Sequence, residues 1–416
     1  LTSFTSKWFD YKFTDKVLKD NEEANGWLQE ATGIQYDEMV ASNFDLEISE
    51  TYIDLIGFGT SPLTVEAIED EFGNYIGLDY RSVQLVDAYY DLDPWGRVMN
   101  FYRRLNWSAM EIVNKFGFDG VPDFIKEKAQ DDTAGVEKIE VIFCIYKREP
   151  EKRDNGVPIT SVLAPEKRPY AYVYVCKKTG DVLGEEGGYY EMPANVARWR
   201  KTNDSQWGNS PAMKTMSTIK TANELVRLQM LQLGKVVAPA TLVEERALVT
   251  DLDLEENGLT VVRDINAVRE MESKARFDVG ELKLGQIQDQ IRQGFMVDQL
   301  ELKESPAMTA TEVQVRFQLM QRLLGPTMGR LENDLFSPML NRTFNILLRA
   351  GLFPDPPAVL LEGESAKFEI SYVGPLPKAQ RAQEVTNARG YLGDLQGLSQ
   401  IQIEGQQSVN SVTDNF

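Results

Sequence analysis

Residues 305–357 read SPAMTATEVQVRFQLMQRLLGPTMGRLENDLFSPMLNRTFNILLRAGLFPDPP and contain the longest helical pattern of the chain. Thr309 and Glu312 have the spacing of a capping box, which begins a helix. Apolar residues then recur every three or four positions as far as Leu348, and Gly351 with the prolines after it ends the pattern. One helix over residues 310–350 would be about 60 Å long. A helix of this length, here called the rod, is typical of a long structural element in an assembly rather than of the core of a compact enzyme domain.

Two positions interrupt the helical pattern of this rod, Gly325-Pro326 and Pro338. Proline has no amide hydrogen to donate, and its ring clashes with the carbonyl group four residues earlier. We therefore predict that the rod bends or breaks at Gly325, Pro326 and Pro338.

The composition excludes several classes of enzyme. The 416 residues include no histidine, which excludes serine–histidine triads and imidazole metal sites. Cys144 and Cys176 are the only cysteines, and their strand-like surroundings predict reduced, buried packing residues rather than a zinc site. No apolar run reaches the roughly 18 residues needed to span a membrane, so we predict no membrane insertion. The chain begins at Leu1 rather than at methionine, which indicates a fragment of a longer protein.

Three short motifs resemble catalytic or metal-binding sequences without fitting them. The acidic run TDLDLEENG at residues 250–258 lacks the glycine that a calcium loop needs at its sixth position, and its Asn257-Gly258 step predicts a hairpin turn. Ser217 with Lys220 and the run KTG at residues 178–180 occur in the wrong order for a penicillin-binding enzyme, and KTG predicts a tight turn. The run GFGT at residues 57–60 lacks the remaining residues of a nucleotide-binding loop and predicts a helix end.

The first half of the chain mixes helical and strand patterns. Helices are predicted at residues 26–40 and 43–56. A shorter helix is predicted to begin at the capping pair Ser108 and Glu111 and to end at Gly117. Strands are predicted at residues 83–90, 97–105, 139–146 and 170–176.

The second half begins with two helices. Ser210 followed by Pro211 predicts the cap and first residue of a helix that continues to about Lys235. A second helix is predicted at residues 279–293, and residues 368–373 alternate like a strand. The first of these helices has an apolar row along one side, here called the seam, which consists of Met216, Ile219, Val226 and Met230.

Four segments of the chain resemble one protein family. They are MTATEV with LLGP, GRL and LLRAG in the rod, SNFDLEISETYIDLIGFGT near the start, WGNSPAMKTMSTIKTANEL in the middle, and ISYVGPLPKAQRAQE near the end. Over residues 27–384, and in the order in which they occur along the chain, they resemble segments of the head-to-tail connector, or portal, proteins of short-tailed bacteriophages. The resemblance implies a ring of twelve subunits at one capsid vertex, through which DNA is pumped in and later leaves.

The resemblance also implies an α+β multi-domain portal fold. Its parts would be an α/β wing with a small β-barrel (residues 1–209), stem helix 1 (210–235), a β-hairpin clip (236–278), stem helix 2 (279–296), a tunnel loop (297–309), a long kinked helix with a return strand to the wing (310–374), and a helical crown (375–416), which is truncated if the chain is a fragment.

The implied function is that of a non-enzymatic virion protein without a cofactor or metal ion. Its partners would be further copies of the chain, double-stranded DNA, the packaging motor (terminase), tail or adaptor proteins, and capsid and scaffold proteins. It would be assembled in the host cytoplasm and reside at the head–tail junction of the virion. The alternatives are a virion scaffold or tail adaptor that does not conduct DNA, and a carboxylate–metal enzyme, which is disfavoured because no acidic cluster has suitable spacing.

Three sets of residues are candidates for portal functions. The seam would be buried by neighbouring subunits, because two stem helices alone could not cover it. In the tunnel loop, Leu300, Leu302 and Lys303 would line the narrowest part of the channel, unless the loop is an ordinary exposed turn. In stem helix 2, Gln286, Gln290, Arg292 and Gln293 are predicted either to line the channel or to pack between subunits.

The net charge of the chain is −20. A protein that grips duplex DNA usually presents Lys and Arg to the phosphates. An acidic conduit would instead let DNA slide, although acidity also aids solubility.

Overall fold

The computed structural model describes residues 7–131, 134–149, 163–202, 205–237, 241–243, 268–270, 277–297, 324–361 and 368–372. The chain divides into two units, and helices and sheets occur in both. Unit 1 comprises residues 1–55, 60–198 and 325–416, and unit 2 comprises residues 56–59 and 199–324. The architecture is α+β with more than one domain, as the sequence predicted.

The described strands are β1 (Phe9–Phe13), β2 (Thr60–Glu69), β3 (Tyr75–Ser82), β4 (Ala88–Leu92), β5 (Val98–Ser108), β6 (Lys138–Lys147), β7 (Tyr170–Cys176), β8 (Val182–Tyr189), β9 (Ala194–Arg198), β10 (Lys201–Thr202), β11 (Ser205–Gly208), β12 (Thr241–Val243), β13 (Val268–Glu270) and β14 (Phe368–Tyr372). The described helices are α1 (Lys16–Lys19), α2 (Glu22–Ala41), α3 (Phe44–Phe58), α4 (Ala109–Phe116), α5 (Asp123–Gln130), α6 (Pro211–Val237), α7 (Phe277–Gly294), α8 (Ser337–Arg349) and α9 (Ala358–Leu361). Residues 324–331 are also helical, and a π-helical turn, Glu332–Phe336, joins them to α8.

Unit 1 is built on three antiparallel sheets with the strand orders β1-β14, β3-β2-β9 and β4-β5-β6-β7-β8. The five-stranded sheet packs one face against α4 and α5, where Ile112, Ile125 and Val141 are buried. Among the described residues its edge strands β4 and β8 do not pair with each other. The small β-barrel expected in this part of the chain stays a prediction.

Helix α8 lies at the centre of an aromatic core in unit 1. Its Leu340 carbonyl accepts hydrogen bonds from the Tyr11 hydroxyl and the Gln35 amide, each at 3.0 Å. Phe344 contacts the rings of Tyr11 and Phe368, whose strands β1 and β14 pair with each other. The C-terminal end of the rod and the strand predicted at residues 368–373 therefore pack with the beginning of the chain.

Local signals predicted many of these elements correctly. The capping box of Ser108 and Glu111 is present, and α4 ends at Gly117, whose φ of 75° favours glycine. Helix α3 ends before Gly59 (φ 78°), and Gly180 (φ 79°) forms the turn between β7 and β8, so both glycine runs are turns rather than ligand loops. The predicted strand at residues 83–90 is wrong in its first half, because Leu85–Asp87 form a 3₁₀ turn before β4 begins.

Several strands were not predicted, among them β2, β3, β8 and β9. Residues 60–65 of β2 are all buried, and all five residues of β9 are buried. A strand covered on both faces has no alternation of apolar and polar residues, which is the signal that identifies a strand in sequence. Pro62 lies within β2, and its carbonyl accepts a hydrogen bond from the Val83 amide at 2.9 Å, although proline is uncommon inside strands.

Unit 2 contains the helices α6 and α7 and two short strand pairs, β10-β11 and β12-β13. Strands β12 and β13 are antiparallel, with Thr241 opposite Glu270 and Val243 opposite Val268. Most of the region assigned to the clip, including the turn predicted at Asn257-Gly258, lies outside the described residues, as do the tunnel loop and the crown.

Candidate functional site

The beginning of α6 is held by a cap and by a glycine. The Ser210 hydroxyl accepts a hydrogen bond from the Met213 amide at 2.9 Å and donates one to the Gly57 carbonyl at 2.8 Å. A Cβ atom on Gly59 would lie 2.6 Å from the Ser210 nitrogen, so only glycine fits there. The cap and Pro211 at the first helical position confirm the predicted helix start.

Helices α6 and α7 pack antiparallel in a fixed register. Gly280 lies against Gln229, and Gly294 lies against Thr215. Gln229 is fourteen residues after Thr215, and Gly294 is fourteen residues after Gly280, so the two contacts are two heptads apart on both helices. Between them, the half-buried residues of α7 are Leu284, Ile287 and Ile291, together with Gly285.

The two glycines permit a close approach of the helices. A Cβ atom at position 294 would lie 2.0 Å from the Thr215 methyl group, and one at position 280 would lie 2.6 Å from the Gln229 side-chain nitrogen. Gly285 and Gly234, in contrast, have no such neighbour within 4 Å. Gly294 therefore sets the distance between the helices, whereas at position 280 the flexible end of the Gln229 side chain can move aside.

The predicted seam lies beside the face of α6 that packs on α7. At 100° per residue, the mean directions of the seam and of the residues facing α7 differ by roughly 75°. Met216, Val226 and Met230 are 44%, 36% and 63% exposed, and Ile219 is half-buried. The structure thus brings the seam residues together as an apolar surface that α7 does not cover.

The residues predicted to line the channel do not share one face of α7. Gln286, Gln290, Gln293 and Arg292 are all exposed. Gln286, Gln290 and Gln293 form one row, whereas Arg292 lies about 120° around the helix from that row. Any single wall formed by α7 can therefore include the glutamines or the arginine, but not all four residues.

Helix α7 ends where the tunnel loop was predicted to begin. The Met296 amide donates to the Gln293 carbonyl at 3.0 Å, and Met296 has a φ of 58°, which turns the chain out of the helix. Leu300, Leu302 and Lys303 lie outside the described residues.

The rod is not broken at Pro338. In a regular α-helix this proline would clash with the carbonyl of Asp334, four residues earlier. The preceding residues, Glu332–Phe336, instead form a π-helical turn in which the Ser337 amide donates to the Glu332 carbonyl. The wider turn accommodates the proline while the helix continues. Gly325 and Pro326 lie in the helical residues 324–331, and the predicted bend at that point stays a prediction.

A buried ion pair holds the π-helical turn to strand β9. The Nε atom of Arg198 donates to the Asp334 carboxylate at 2.9 Å, and Nη2 donates to the Gly96 carbonyl at 3.0 Å. The Arg198 side chain is 5% exposed, and its Nη1 atom has no hydrogen-bond partner among the described residues. Because Asp334 belongs to the π-helical turn, the ion pair fixes the position of this turn in unit 1.

A second buried arginine was missed by the sequence analysis. Arg342 on α8 donates from Nε to the Val65 carbonyl and from Nη1 to the Glu191 carbonyl, each at 2.8 Å. Burial lowers the pKa of Arg342, and the Glu191 carboxylate, which also binds Arg349 at 2.7 and 2.8 Å, opposes that shift. The signal was a charged residue on the apolar face of a helix. The contacts of Arg342 indicate that it holds α8 against strand β2 rather than binding a ligand.

Other candidate sites remain without a ligand-binding arrangement. Cys144 is half-buried, Cys176 is buried, and both thiols are free. Among the described residues, no three acidic or cysteine side chains are placed to hold a metal ion. No helix in the described part of the chain is both long and apolar enough to cross a membrane.

Comparison with known proteins identifies one family and two relatives. A family model described as "Bacteriophage head to tail connecting protein" matches residues 1–413. The "Probable portal protein" of Bordetella phage BPP-1 is 24% identical over 422 residues, covering 97% of this chain and 71% of that protein. The "Portal protein" of Salmonella phage epsilon15 is 23% identical over 429 residues, with the same coverage of 97% and 71%.

These matches define a class of phage structural protein that joins the head to the tail. Since the family model covers nearly the whole length, the chain belongs to the bacteriophage head to tail connecting protein family. This confirms the resemblance inferred from the four sequence segments.

Proposed function

We propose that this protein is the portal of a short-tailed bacteriophage. Twelve copies form a ring at one capsid vertex, and double-stranded DNA enters and leaves the head through its axial channel. The family match and the names of both relatives support this proposal. The observation that carries it is the apolar seam on α6, which is exposed in a single chain.

The seam provides a reason for the ring to form. Burying a Val or Met side chain contributes roughly 1.5–3 kcal/mol. Val226 and Met230 therefore favour association with a neighbouring copy, and the same contact repeats around a closed ring.

The row of Gln286, Gln290 and Gln293 suits a channel wall. Neutral amides bind phosphates weakly, and the net charge of −20 disfavours tight binding of DNA to the protein as a whole. We assign this row to the channel, with Leu300, Leu302 and Lys303 of the tunnel loop forming its narrowest part. Arg292, on another side of α7, faces a neighbouring copy.

The remaining parts serve docking rather than catalysis. The clip contacts the packaging motor (terminase) and then the tail or adaptor proteins, and the wing contacts capsid and scaffold proteins. The ring is assembled in the host cytoplasm and stays at the head–tail junction of the virion. No step requires a cofactor or an active site.

Electron microscopy of the purified protein tests the ring directly. We expect closed rings with an axial hole, and classification of end-on views gives the number of subunits. Monomers or open filaments as the sole species would contradict the portal assignment.

Light scattering of variants tests the seam. Val226→Asp/Met230→Asp should abolish rings, because charged side chains would replace the apolar contact between copies. The circular dichroism spectrum of this variant should still be that of a folded protein. Lys214→Gln/Gln232→Asp, at exposed positions about 155° around α6 from the seam, changes the net charge equally and should leave rings intact. Intact rings in the seam variant would place the interface elsewhere.

A further inference from the structure

We infer that α6 has a second subunit-binding surface, formed by Met213, Leu228 and Leu231, which receives the seam of the next copy in the ring. This inference rests on the proposed ring and names the contact that the seam makes. This surface lies on a side of α6 that α7 does not cover and that is distinct from the seam.

The second surface carries exposed apolar side chains, with the exposed residues Lys220 and Glu224 between Met213 and Leu228. Met213, Leu228 and Leu231 are 47%, 45% and 53% exposed. They lie about 125° around the helix from the seam and about 160° from the residues that face α7. A helix that borders solvent normally carries polar residues on the side opposite its packing face.

The second half of α6 is apolar on all sides. Residues 225–237 read LVRLQMLQLGKVV, with Arg227 and Lys235 as the only charged residues. A helix of this kind is normally buried all round, yet α7 covers only one side. Among the described residues, two further sides of α6 have no partner, and a chain in a ring has two neighbours.

The symmetry of a ring requires two different surfaces. Copies related by rotation about a ring axis meet head-to-tail, so each copy offers one patch to the next copy and a different patch to the previous one. The seam can be only one of these patches. The surface of Met213, Leu228 and Leu231 is on the same helix, presents Leu228 and Leu231 at the level of Val226 and Met230, and points in a different direction.

The charges near the two surfaces are compatible with burial. Arg227 lies between them and forms a bidentate ion pair with Glu224 of the same helix, at 2.7 and 2.8 Å. This pair neutralises both charges within one chain, so the neighbouring copy need not supply a counter-charge. The occupant that fits is another copy of this chain, which presents Val226 and Met230.

The test uses two variants that each block one surface. Leu228→Asp/Leu231→Asp blocks the second surface, and Val226→Asp/Met230→Asp blocks the seam. Each variant alone should be monomeric by light scattering. An equimolar mixture should form a dimer of twice the monomer mass and nothing larger, because each partner retains one working surface.

The mixture also controls for folding, since only folded chains can form the dimer. Rings formed by Leu228→Asp/Leu231→Asp alone would overturn the inference, even if the seam variant remained monomeric. Two monomeric variants that form no dimer on mixing would also overturn it, because the two surfaces would not contact each other. Absence of rings in the unmodified protein would instead overturn the proposed function.

Discussion

At the scale of single residues, two buried arginines determine how the rod end is attached. Arg198 pairs with Asp334 of the π-helical turn, and Arg342 on α8 bonds to Val65 and Glu191. Burying a charge is costly unless it is paired and hydrogen-bonded. The buried pairs therefore fix which turn of the helix faces which strand.

Removal of the Asp334 carboxylate should be strongly destabilising. Asp334→Ala leaves the Arg198 charge buried without its partner, which should lower the free energy of unfolding by about 3 kcal/mol. Asn333→Ala, at the exposed neighbouring position, should change it by less than about 0.5 kcal/mol. Thermal unfolding followed by circular dichroism measures both. Equal effects of the two substitutions would mean that the ion pair does not hold the turn. The double variant Arg198→Met/Asp334→Leu, which removes both charges, should recover most of the lost free energy of unfolding.

Glu332 should make stability depend on pH. Burial raises the pKa of its carboxyl group, so the folded state retains the proton more tightly than the unfolded chain. Stability therefore falls as the pH rises from the unfolded pKa to the folded pKa, and it stays lower above that range. Glu332→Gln should raise the unfolding midpoint at neutral pH but not below about pH 4. The exposed control Glu127→Gln should show no such difference, and a pH-independent effect at Glu332 would contradict the prediction.

At the scale of elements, helix boundaries were predictable because their signals are local. Ser108 with Glu111, and Ser210 with Pro211, each determine a helix start within four residues of sequence. Strands β2 and β9 were not predictable, since both their faces are covered by parts of the chain distant in sequence. The π-helical turn was missed for a related reason. Pro338 predicts an interruption, but the pairing of Arg198 with Asp334 is visible only in three dimensions.

The spacing between α6 and α7 should depend on Gly294 in particular. Gly294→Ala places a methyl group against Thr215 and should cost about 1–3 kcal/mol. Gly285→Ala, which has open space around it on the same helix, should instead stabilise the chain by about 0.5–1 kcal/mol. Urea unfolding monitored by circular dichroism compares the two.

A compensating substitution separates a steric effect from a general loss of fold. Thr215→Ser removes the methyl group that Gly294→Ala would meet but keeps the hydroxyl that donates to the Pro211 carbonyl at 3.0 Å. The double variant should therefore be more stable than Gly294→Ala alone. An additive or worse result would show that the close approach at Gly294 is not what sets the spacing.

At the scale of the whole molecule, sequence periodicity could identify the seam but not its partner. The spacing of Met216, Val226 and Met230 shows that one side of α6 is apolar, which is equally true of an ordinary core helix. Their exposure in the folded chain makes the difference, because α7 covers another side. The glutamine row and Arg292 were grouped in sequence because they are neighbours, and helical geometry separates them.

The tunnel loop should control retention of DNA rather than assembly. Helix α7 ends at Gly294, the chain turns at Met296, and the segment proposed as the loop begins at residue 297. Its copies would place Leu300, Leu302 and Lys303 around the axis, whereas the ring contacts that we propose lie on α6. Deleting residues 299–303 should therefore leave rings of normal size by electron microscopy. Heads carrying this variant should package DNA but lose it during purification, because the narrowest layer of the channel is absent.

A same-length glycine–serine replacement, which keeps the backbone but removes the side chains, should give an intermediate loss. Retention of a full genome by the deletion variant would contradict the placement of this loop in the channel.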